Sequence, residues 1–428
     1  MKNSKIKNDY LILLFLSLLI ILTRTPFMSK FLFDWDSINF ALAFKDFNIS
    51  LSQPQPPGYI FFVGLGRFLD SFFQDPNSTM IFMSITFSIL TVILVYLLGK
   101  KIFSNEIGII SSLLLIFNPI FWFYGEIASI YVCQGFFATL IAFLSYKSME
   151  KNSFVYISAL VLGLAGGFRQ DVTVLMFPLW LFCISYERFE LKKIVVSMFI
   201  VILSSLTWFL STVHLSGGYN HYSNLTKYQL TSSFNKCSIF FGADILNHII
   251  MLEKLALWTL NGLGIAGIFS LLFLVLQNPK NMIKSVNFKS PKFIFFILWI
   301  LPSFGFFALV FIAKSGYTLI YLPGLTIIIG FILFKLSENI SFMSSKRFLT
   351  LIMAFFIIFN TVNFVLIEKV DIESADQKYV EIVVKNNSHI NFTSSIKVNT
   401  IALPSDVIDR FYDSGGYSKT VPNLKMIL

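Results

Sequence analysis

The stretch Phe33–Leu69 reads FDWDSINFALAFKDFNISLSQPQPPGYIFFVGLGRFL and is the longest break between strongly apolar segments before residue 211. It begins with two carboxylates, Asp34 and Asp36, on either side of Trp35. An amphipathic run follows, and then a rigid turn with the sequence QPQPPGY at residues 53–59. One apolar segment precedes this stretch, and nearly everything after it is apolar. The sequence therefore predicts that the two acids lie just outside the first membrane anchor.

Composition decides the broad class of protein. The chain has 428 residues, of which 56% are hydrophobic and only 13% are charged, and 51 are phenylalanine. A soluble core of this size cannot bury that much apolar surface. Apolar runs of about 20 residues fit the hydrocarbon thickness of a bilayer, where an unpaired backbone has no hydrogen-bond partners. The sequence predicts an all-α polytopic membrane protein, with an N-terminal segment that stays as an uncleaved anchor.

About eleven transmembrane helices are predicted from the apolar runs. The spans are Tyr10–Met28, Thr79–Leu98, Ile107–Phe123, Ile127–Tyr146, Phe154–Gly167, Val172–Tyr186, Ile194–Val213, Met251–Gln277, Phe293–Ala313, Tyr317–Lys335 and Phe348–Ile367. Ile60–Leu69 is too short to span a bilayer and is expected to pack along the outer surface or to re-enter the membrane.

The distribution of lysine and arginine predicts the orientation. Basic residues recur in every second connection: Lys2, Lys5, Lys7, Lys100, Lys101, Lys147, Lys151, Arg188, Lys192, Lys193, Lys280, Lys284, Lys289, Lys292, Lys335, Lys346 and Arg347. These connections and the N-terminus are expected in the cytoplasm, and the C-terminus is expected outside the cell membrane. The net charge of +10 is thus largely topological and does not require a nucleic-acid partner. The three cysteines and four histidines show no spacing typical of a disulfide framework or zinc site.

Two domains are expected. Residues 1–367 form the transmembrane domain, with a first outer loop at 29–78 that carries the acids. Residues 368–428 form a small outside-facing segment, where alternating runs such as Ile396–Ile401 and turn signals predict an α/β tail. The other outer connections include Ser211–Ile250, which is read as a loop.

Each candidate residue on the outer side has a structural and a functional interpretation. Asp36 could cap a helix over Ser37–Phe47, or it could act as a general base or pair with Asp34 as a metal ligand. Glu126 could simply complement a helix dipole. Arg169 could pair with Asp171 or bind a phosphate, and Lys314 could extend to the headgroups or meet a lipid phosphate. Tyr124 and Tyr317 suit an interface belt. The convergence of these acids and cations on one side favours a functional site.

Several motifs together resemble the GT-C superfamily of membrane glycosyltransferases. The nearest branch is the protein O-mannosyltransferase-like family with a His-Pro-Pro-Gly-Tyr-Pro motif. The similarity rests on Trp35–Ala43, on Pro56–Tyr59 followed by Gly64–Phe68, and on Asn118–Glu126 with Tyr131; weaker similarities are Gly167–Gln170 and Tyr317–Pro323. Gln55 stands where the motif has histidine, and Ile60 stands where it has its final proline.

The resemblance implies a GT-C-like catalytic domain that transfers a sugar, a hexose such as mannose, from a polyprenyl-phosphate carrier to a hydroxyl of a protein, glycan or lipid, with inversion. It implies Asp36 as general base and Asp34 as a supporting acid. The expected substrate-binding residues are Gln55, Tyr59, Tyr124, Glu126, Arg169, Lys314 and Tyr317. A divalent cation, Mg²⁺ or Mn²⁺, held by Asp34 and Asp36 stays open, because some relatives need a metal and others do not. The alternatives are a polytopic transporter of a lipid-linked or small substrate and a non-catalytic subunit on a GT-C-like scaffold.

Overall fold

The computed structural model describes residues 2–186, 190–276, 289–338 and 343–369, together with residues 340 and 372. This part of the chain is built from α-helices, joined by short 3₁₀ segments and one isolated antiparallel bridge between Asn48 and Gln53. The α-helices are Lys2–Arg24 (α1), Trp35–Lys45 (α2), Ile60–Phe73 (α3), Pro76–Ile102 (α4), Asn105–Ile116 (α5), Pro119–Tyr124 (α6), Tyr131–Ser148 (α7), Ser153–Phe168 (α8), Gln170–Ser185 (α9), Leu191–Leu215 (α10), Tyr219–Cys237 (α11), Ile245–Leu276 (α12), Pro291–Leu309 (α13), Leu322–Glu338 (α14) and Ser345–Asn363 (α15).

A helix occupies each of the eleven predicted spans, so the prediction of an all-helical, multi-pass membrane protein is confirmed. By length and hydropathy, six stretches of the described residues can each cross a bilayer. They are Asn8–Phe27, Pro76–Ile102, Leu191–Leu215, Ile245–Ser270, Pro291–Leu309 and Ser345–Ile367. The helices α5, α8 and α9 are apolar but shorter, with 12 to 16 residues each.

Three of the predicted spans are interrupted in the structure. The helix α12 contains a kink at Gly264, where φ is +59°, and Tyr317–Lys335 starts in a 3₁₀ helix, Ser315–Ile320, before α14 begins. The segment Ile107–Phe123 forms two helices, α5 and α6, rather than one. Asn118 caps α6 by accepting a hydrogen bond from the Phe121 amide, and Pro119 takes the first helical position. Proline lacks the N–H that would continue the ladder of α5, but it suits the start of a new helix. The expectation of a continuous span was therefore wrong at this Asn-Pro pair.

The centre of the bundle is formed by α4, α5, α7, α8 and α9, with α10 packed on α8, α13 on α9 and α14 on α5. The two largest fully buried side chains are Trp180 on α9 and Trp299 on α13. Both indoles donate their N–H, to Ser158 Oγ at 3.1 Å and to the Ile320 carbonyl at 2.9 Å. Because a buried indole N–H is costly without an acceptor, these bonds fix how the central helices meet.

The helices α2, α3 and α11 lie in the predicted outer connections. The helix α3 buries Phe62 and Val63 against α2 and α4 while Phe68 and Phe72 are more than 60% exposed. It packs along the bundle, as expected for an amphipathic segment at a membrane interface. The helix α11 lies in the segment 211–250 that was read as a loop. Its mixed polar composition hid its helical character, because it has little apolar periodicity.

The C-terminal segment 368–428 lies almost entirely outside the described residues. The expected α/β tail and the domain boundary at 367/368 stay predictions.

Candidate active site

The acidic motif sits at the start of α2, and its two carboxylates play different parts. Asp34 is the N-cap residue: its Oδ1 accepts hydrogen bonds from the Ser37 amide and hydroxyl, both at 2.9 Å. The Ser37 hydroxyl in turn accepts from the Asp34 amide at 2.9 Å, which completes a capping box. The sequence analysis offered Asp36 as the cap, and that interpretation was wrong by two residues. Asp36 lies in the first turn of α2, where its carboxylate does not serve the helix end.

Lys314 joins the two acids from the far end of the chain. Its Nζ lies 2.5 Å from Asp34 Oδ2 and 2.6 Å from Asp36 Oδ2, and all three side chains are half-buried. Burial pushes the pKa of the Asp34 carboxyl upward, but Lys314 and the Ser37 hydrogen bonds outweigh it and hold that pKa below its ordinary value. Burial and the neighbouring Asp34 charge raise the pKa of Asp36, although Lys314 and Arg169 oppose the shift. Asp36 is thus the stronger base of the two.

The position of Lys314 is fixed by the segment that follows it. Residues Ser315–Ile320 form a 3₁₀ helix between α13 and α14. A Cβ atom on Gly316 would come within 2.3 Å of the Tyr131 ring, so only glycine allows the backbone to approach α7 this closely. Gln134 on α7 donates to the Tyr317 carbonyl at 3.0 Å. Packing between α7 and this segment therefore positions Lys314 within hydrogen-bond distance of Asp34 and Asp36.

Arg169 lies behind this acidic cluster, where α8 ends and α9 begins. Its Nε donates to both carboxylate oxygens of Asp171 at 3.1 Å, so the expected local ion pair is present. Its guanidinium carbon lies 4.8 Å from the ring centre of Tyr131 and 4.6 Å from that of Tyr317. Such contacts favour a cation strongly when they are desolvated, and Arg169 is only 5% exposed. Arg169 therefore supplies a fixed positive charge close enough to lower the pKa of Asp36.

The Pro-Pro-Gly turn forms another wall of the site. Gly58 has φ +116°, and a Cβ there would collide with Thr212 at 2.7 Å, so the turn requires glycine. Tyr59 follows with φ +44° and packs edge-on against Phe40 of α2, with ring centres 5.5 Å apart. Burial raises the pKa of the Tyr59 hydroxyl, and the charges of Arg169 and Asp36 both act on it. The turn thus brings Tyr59 into the electrostatic environment of the acids.

Gln55 in the same turn is half-buried, and its Oε1 has no hydrogen-bond partner among the described residues. The backbone carbonyl of Gln55 accepts a hydrogen bond from the Gly58 amide at 3.1 Å. The structure assigns it no direct contact with the two acids, so its expected role in substrate binding stays a prediction.

Tyr124 and Tyr131 complete an aromatic wall. The Tyr124 hydroxyl lies 3.2 Å from Ser315 Oγ, next to Lys314, and its ring centre lies 5.0 Å from that of Tyr131. Tyr131 lies in turn 5.3 Å from Tyr317. The structure therefore brings Tyr124 and Tyr317 together as expected, and it adds Tyr131 and Ser315. Tyr131 was part of the resembled motif, but its contact with Arg169 depends on helix packing that the motif does not report.

Glu126 lies in a different cluster. Its Oε1 accepts from the Trp122 indole N–H, its Oε2 has no hydrogen-bond partner among the described residues, and the side chain is fully buried. Arg24, also fully buried, lies over Trp122 and donates to the Ile116 carbonyl at 2.6 Å. Sequence reasoning missed Arg24; the signal was an arginine at the end of α1 that is predicted to face outward, where the positive-inside rule disfavours it.

An open cavity of about 430 Å³ lies beside the site, along α10 and α11. It is lined by aromatic and hydroxyl side chains, among them Tyr222, Ser223 and Thr231. The Tyr222 hydroxyl donates to the Pro57 carbonyl at 3.2 Å, which joins this wall to the Pro-Pro-Gly turn. The acids and Lys314 are not part of its lining.

Comparison with known proteins identifies the fold. A family model described as dolichyl-phosphate-mannose-protein mannosyltransferase matches residues 55–212. ArnT from Cupriavidus metallidurans, solved with undecaprenyl phosphate, superposes with a TM-score of 0.54 at 11% identity, over 82% of this chain and 63% of ArnT. The oligosaccharyltransferase of Archaeoglobus fulgidus in its apo form gives 0.51 at 12% identity, over 86% of this chain and 56% of that one. The chain has the GT-C fold.

This chain spans less than two thirds of the length of these solved GT-C structures. No curated protein matches its sequence. The family match includes the Pro-Pro-Gly turn and Arg169, whereas the two acids and Lys314 lie outside it. At this low identity the likeness shows the fold, and activity has to be argued from the site.

Proposed function

We propose that this protein is a membrane glycosyltransferase that moves a sugar from a polyprenyl-phosphate carrier to a hydroxyl acceptor at the outer membrane face. One observation carries the proposal. Asp36 stands outside the helix cap, is paired with Lys314, and lies close enough to Arg169 for that charge to lower its pKa. A base next to fixed positive charge is what transfer from a phosphate leaving group requires.

The reaction that fits this geometry is a direct displacement at the anomeric carbon. The acceptor oxygen forms the new C–O bond while Asp36 takes the hydroxyl proton. The bond between the anomeric carbon and the phosphate oxygen breaks, and the carrier leaves as a polyprenyl phosphate. A single displacement inverts the configuration at the sugar carbon. The raised pKa of Asp36 suits this role, because a base accepts a proton more readily as its pKa approaches the working pH.

The two cations differ in how they can reach the leaving group. Lys314 is the more accessible, with 32% of its side chain exposed, so it can contact a phosphate directly. Arg169 is only 5% exposed and packs against the rings of Tyr131 and Tyr317, so its charge acts on the leaving group from a buried position. Both charges stabilise the negative charge that develops on the phosphate oxygens.

The nature of the donor rests on the similar proteins. The matching family model is named for mannose transfer from dolichyl phosphate to protein, and the ArnT structure holds undecaprenyl phosphate. These names support a polyprenyl-phosphate carrier and favour mannose or another hexose as the sugar. The membrane location of the site agrees, since the reactive carbon of such a donor lies at the headgroup plane.

The decisive experiment is a transfer assay with a radiolabelled polyprenyl-phosphate mannose and the purified full chain in lipid nanodiscs. The sugar is expected to leave the carrier and appear on a hydroxyl acceptor, with an Asp36→Asn variant as the inactive control. Donor that crosses the membrane unchanged in proteoliposomes would instead support the transporter. An intact donor with neither transfer nor transport would support a non-catalytic subunit.

A further inference from the structure

The two acids of α2 converge on one position, and Lys314 Nζ occupies it. Asp34 Oδ2 and Asp36 Oδ2 lie 2.5 Å and 2.6 Å from that nitrogen. Two carboxylate oxygens aimed at one point are the ligands that Mg²⁺ and Mn²⁺ prefer. Among the described residues, no group of three or more His, Cys, Asp or Glu side chains could hold a metal ion.

We propose that the ammonium group of Lys314 is the resident cation of this site and takes the place of a divalent metal between Asp34 and Asp36. This inference rests on the proposed glycosyl transfer for its chemistry. In this inference, Asp34 and Asp36 bind the side chain of Lys314, and sugar transfer does not depend on added metal.

The hydrogen bonds that cap α2 favour an ammonium group rather than a metal ion between the two acids. Asp34 Oδ1 already accepts hydrogen bonds from the amide and hydroxyl of Ser37, so only Asp34 Oδ2 faces the shared position. With Asp36 Oδ2, the pair presents two oxygens to the shared position, so a Mg²⁺ or Mn²⁺ ion held there would have to take most of its ligands from water. An ammonium needs at most three acceptors. The ligand set therefore fits lysine better than a metal ion.

Lys314 is both paired with the acids and tethered by its own backbone. The two carboxylates carry two negative charges, and Lys314 neutralises one, while Arg169 and Asp171 neutralise each other. Lys314 is also tethered by the 3₁₀ segment, through Gly316 against Tyr131 and Ser315 beside Tyr124. A tethered cation fills the position at a high effective concentration, so a free ion would have to displace it.

The same geometry lets the lysine act on the substrate. An ammonium group has three N–H donors, and the two acids accept two of them. The third can meet an oxygen of the carrier phosphate, as a bridging metal ion would. The charge that orients the acids thus also stabilises the leaving group.

Manganese binding tests the inference without relying on activity. The purified full chain is titrated with Mn²⁺, and free Mn²⁺ is followed by electron paramagnetic resonance. We expect no saturable site in the wild type. Lys314→Ala should create one that binds Mn²⁺ at least about tenfold more tightly than any residual binding by the wild type, because a repelling unit charge is gone and two carboxylates remain. Adding Asp36→Asn to that variant should abolish the site, and Lys45→Ala, at the exposed end of α2, should behave as the wild type.

The result that overturns the inference is a saturable Mn²⁺ site in the wild type that depends on Asp34 and Asp36, or no new site in Lys314→Ala. Should Lys314→Ala fail to fold, as judged by size-exclusion chromatography, Lys314→Gln removes the charge, keeps a polar side chain that is one atom shorter, and carries the same expectation.

Transfer activity separates this inference from the proposed function. We expect wild-type transfer to survive EDTA, and the weak activity of Lys314→Ala to rise with Mn²⁺. Wild-type activity that EDTA abolishes and Mn²⁺ restores would refute the resident lysine while leaving the glycosyltransferase intact. A complete absence of transfer would refute the proposed function. The Mn²⁺ titration would still show whether Lys314 or a metal ion occupies the position between the two acids.

Discussion

Asp36→Asn is the sharpest test of the proposed chemistry, because the structure separates the base from the helix cap. The capping box belongs to Asp34 and Ser37 and is untouched by the change. The variant loses one of the two ion pairs of Lys314, in which the Asp36 side chain is 29% exposed. A pair this exposed contributes about 0.2–1 kcal/mol. The fold and donor binding should therefore be nearly unchanged.

The effect on turnover should be far larger. An amide of the same shape cannot take the acceptor proton, and a positioned general base contributes about 10²- to 10⁴-fold. That range corresponds to about 2.7–5.4 kcal/mol of activation free energy. The assay is the initial rate of sugar transfer at saturating donor, with donor affinity measured separately so that kcat and binding can be compared.

Two variants on the same helix serve as controls. Asp34→Asn keeps a good N-cap residue and should lower turnover less than Asp36→Asn. Asp46→Asn changes an exposed acid at the other end of α2 and should have no effect. Near-normal turnover in Asp36→Asn, with the protein folded and donor bound, would refute the assignment of Asp36 as the base.

The remaining predictions concern pH, phosphate binding and topology. In a pH–rate profile, activity should rise as Asp36 loses its proton, and this rising limb should lie at higher pH than an ordinary aspartate would give. Lys314→Met should move the limb to still higher pH, because Lys314 lowers the pKa of Asp36. An unmoved limb in a pH–rate profile would exclude Asp36 as the titrating group. Arg169→Ala should weaken donor binding by less than the about 1.5–3 kcal/mol of a direct charged hydrogen bond, because the buried guanidinium acts through its charge; donor titration measures this, and Arg169→Lys should be closer to wild type. In a cysteine-free background, a membrane-impermeant maleimide added outside should label Asn224→Cys but not Lys289→Cys; the opposite pattern would place the candidate site in the cytoplasm.

The sequence by itself determined the elements of this protein that depend on local pattern. Apolar runs located the helices that cross the membrane, because lipid leaves the backbone no alternative to internal hydrogen bonds. The amphipathic run after the Pro-Pro-Gly turn located α3. The pair Arg169–Asp171 was also visible, since its two members are close in the chain. Prediction from local pattern failed for α11, whose apolar periodicity is weak. It also failed at the start of α2, where the capping residue is Asp34 and not Asp36.

Only the tertiary structure decided which distant side chains meet. Lys314 and Asp34 are 280 positions apart, yet the packing of α7 against the 3₁₀ segment brings them into contact. Sequence placed Glu126 with the same outer group, whereas packing buries it with Trp122 near Arg24. Periodicity and charge report how a segment meets lipid or water, but the helix-to-helix contacts that aim side chains at one another depend on shape complementarity across the whole bundle. The acids and Lys314 were therefore readable from the chain as candidate residues, and the contact between them was not.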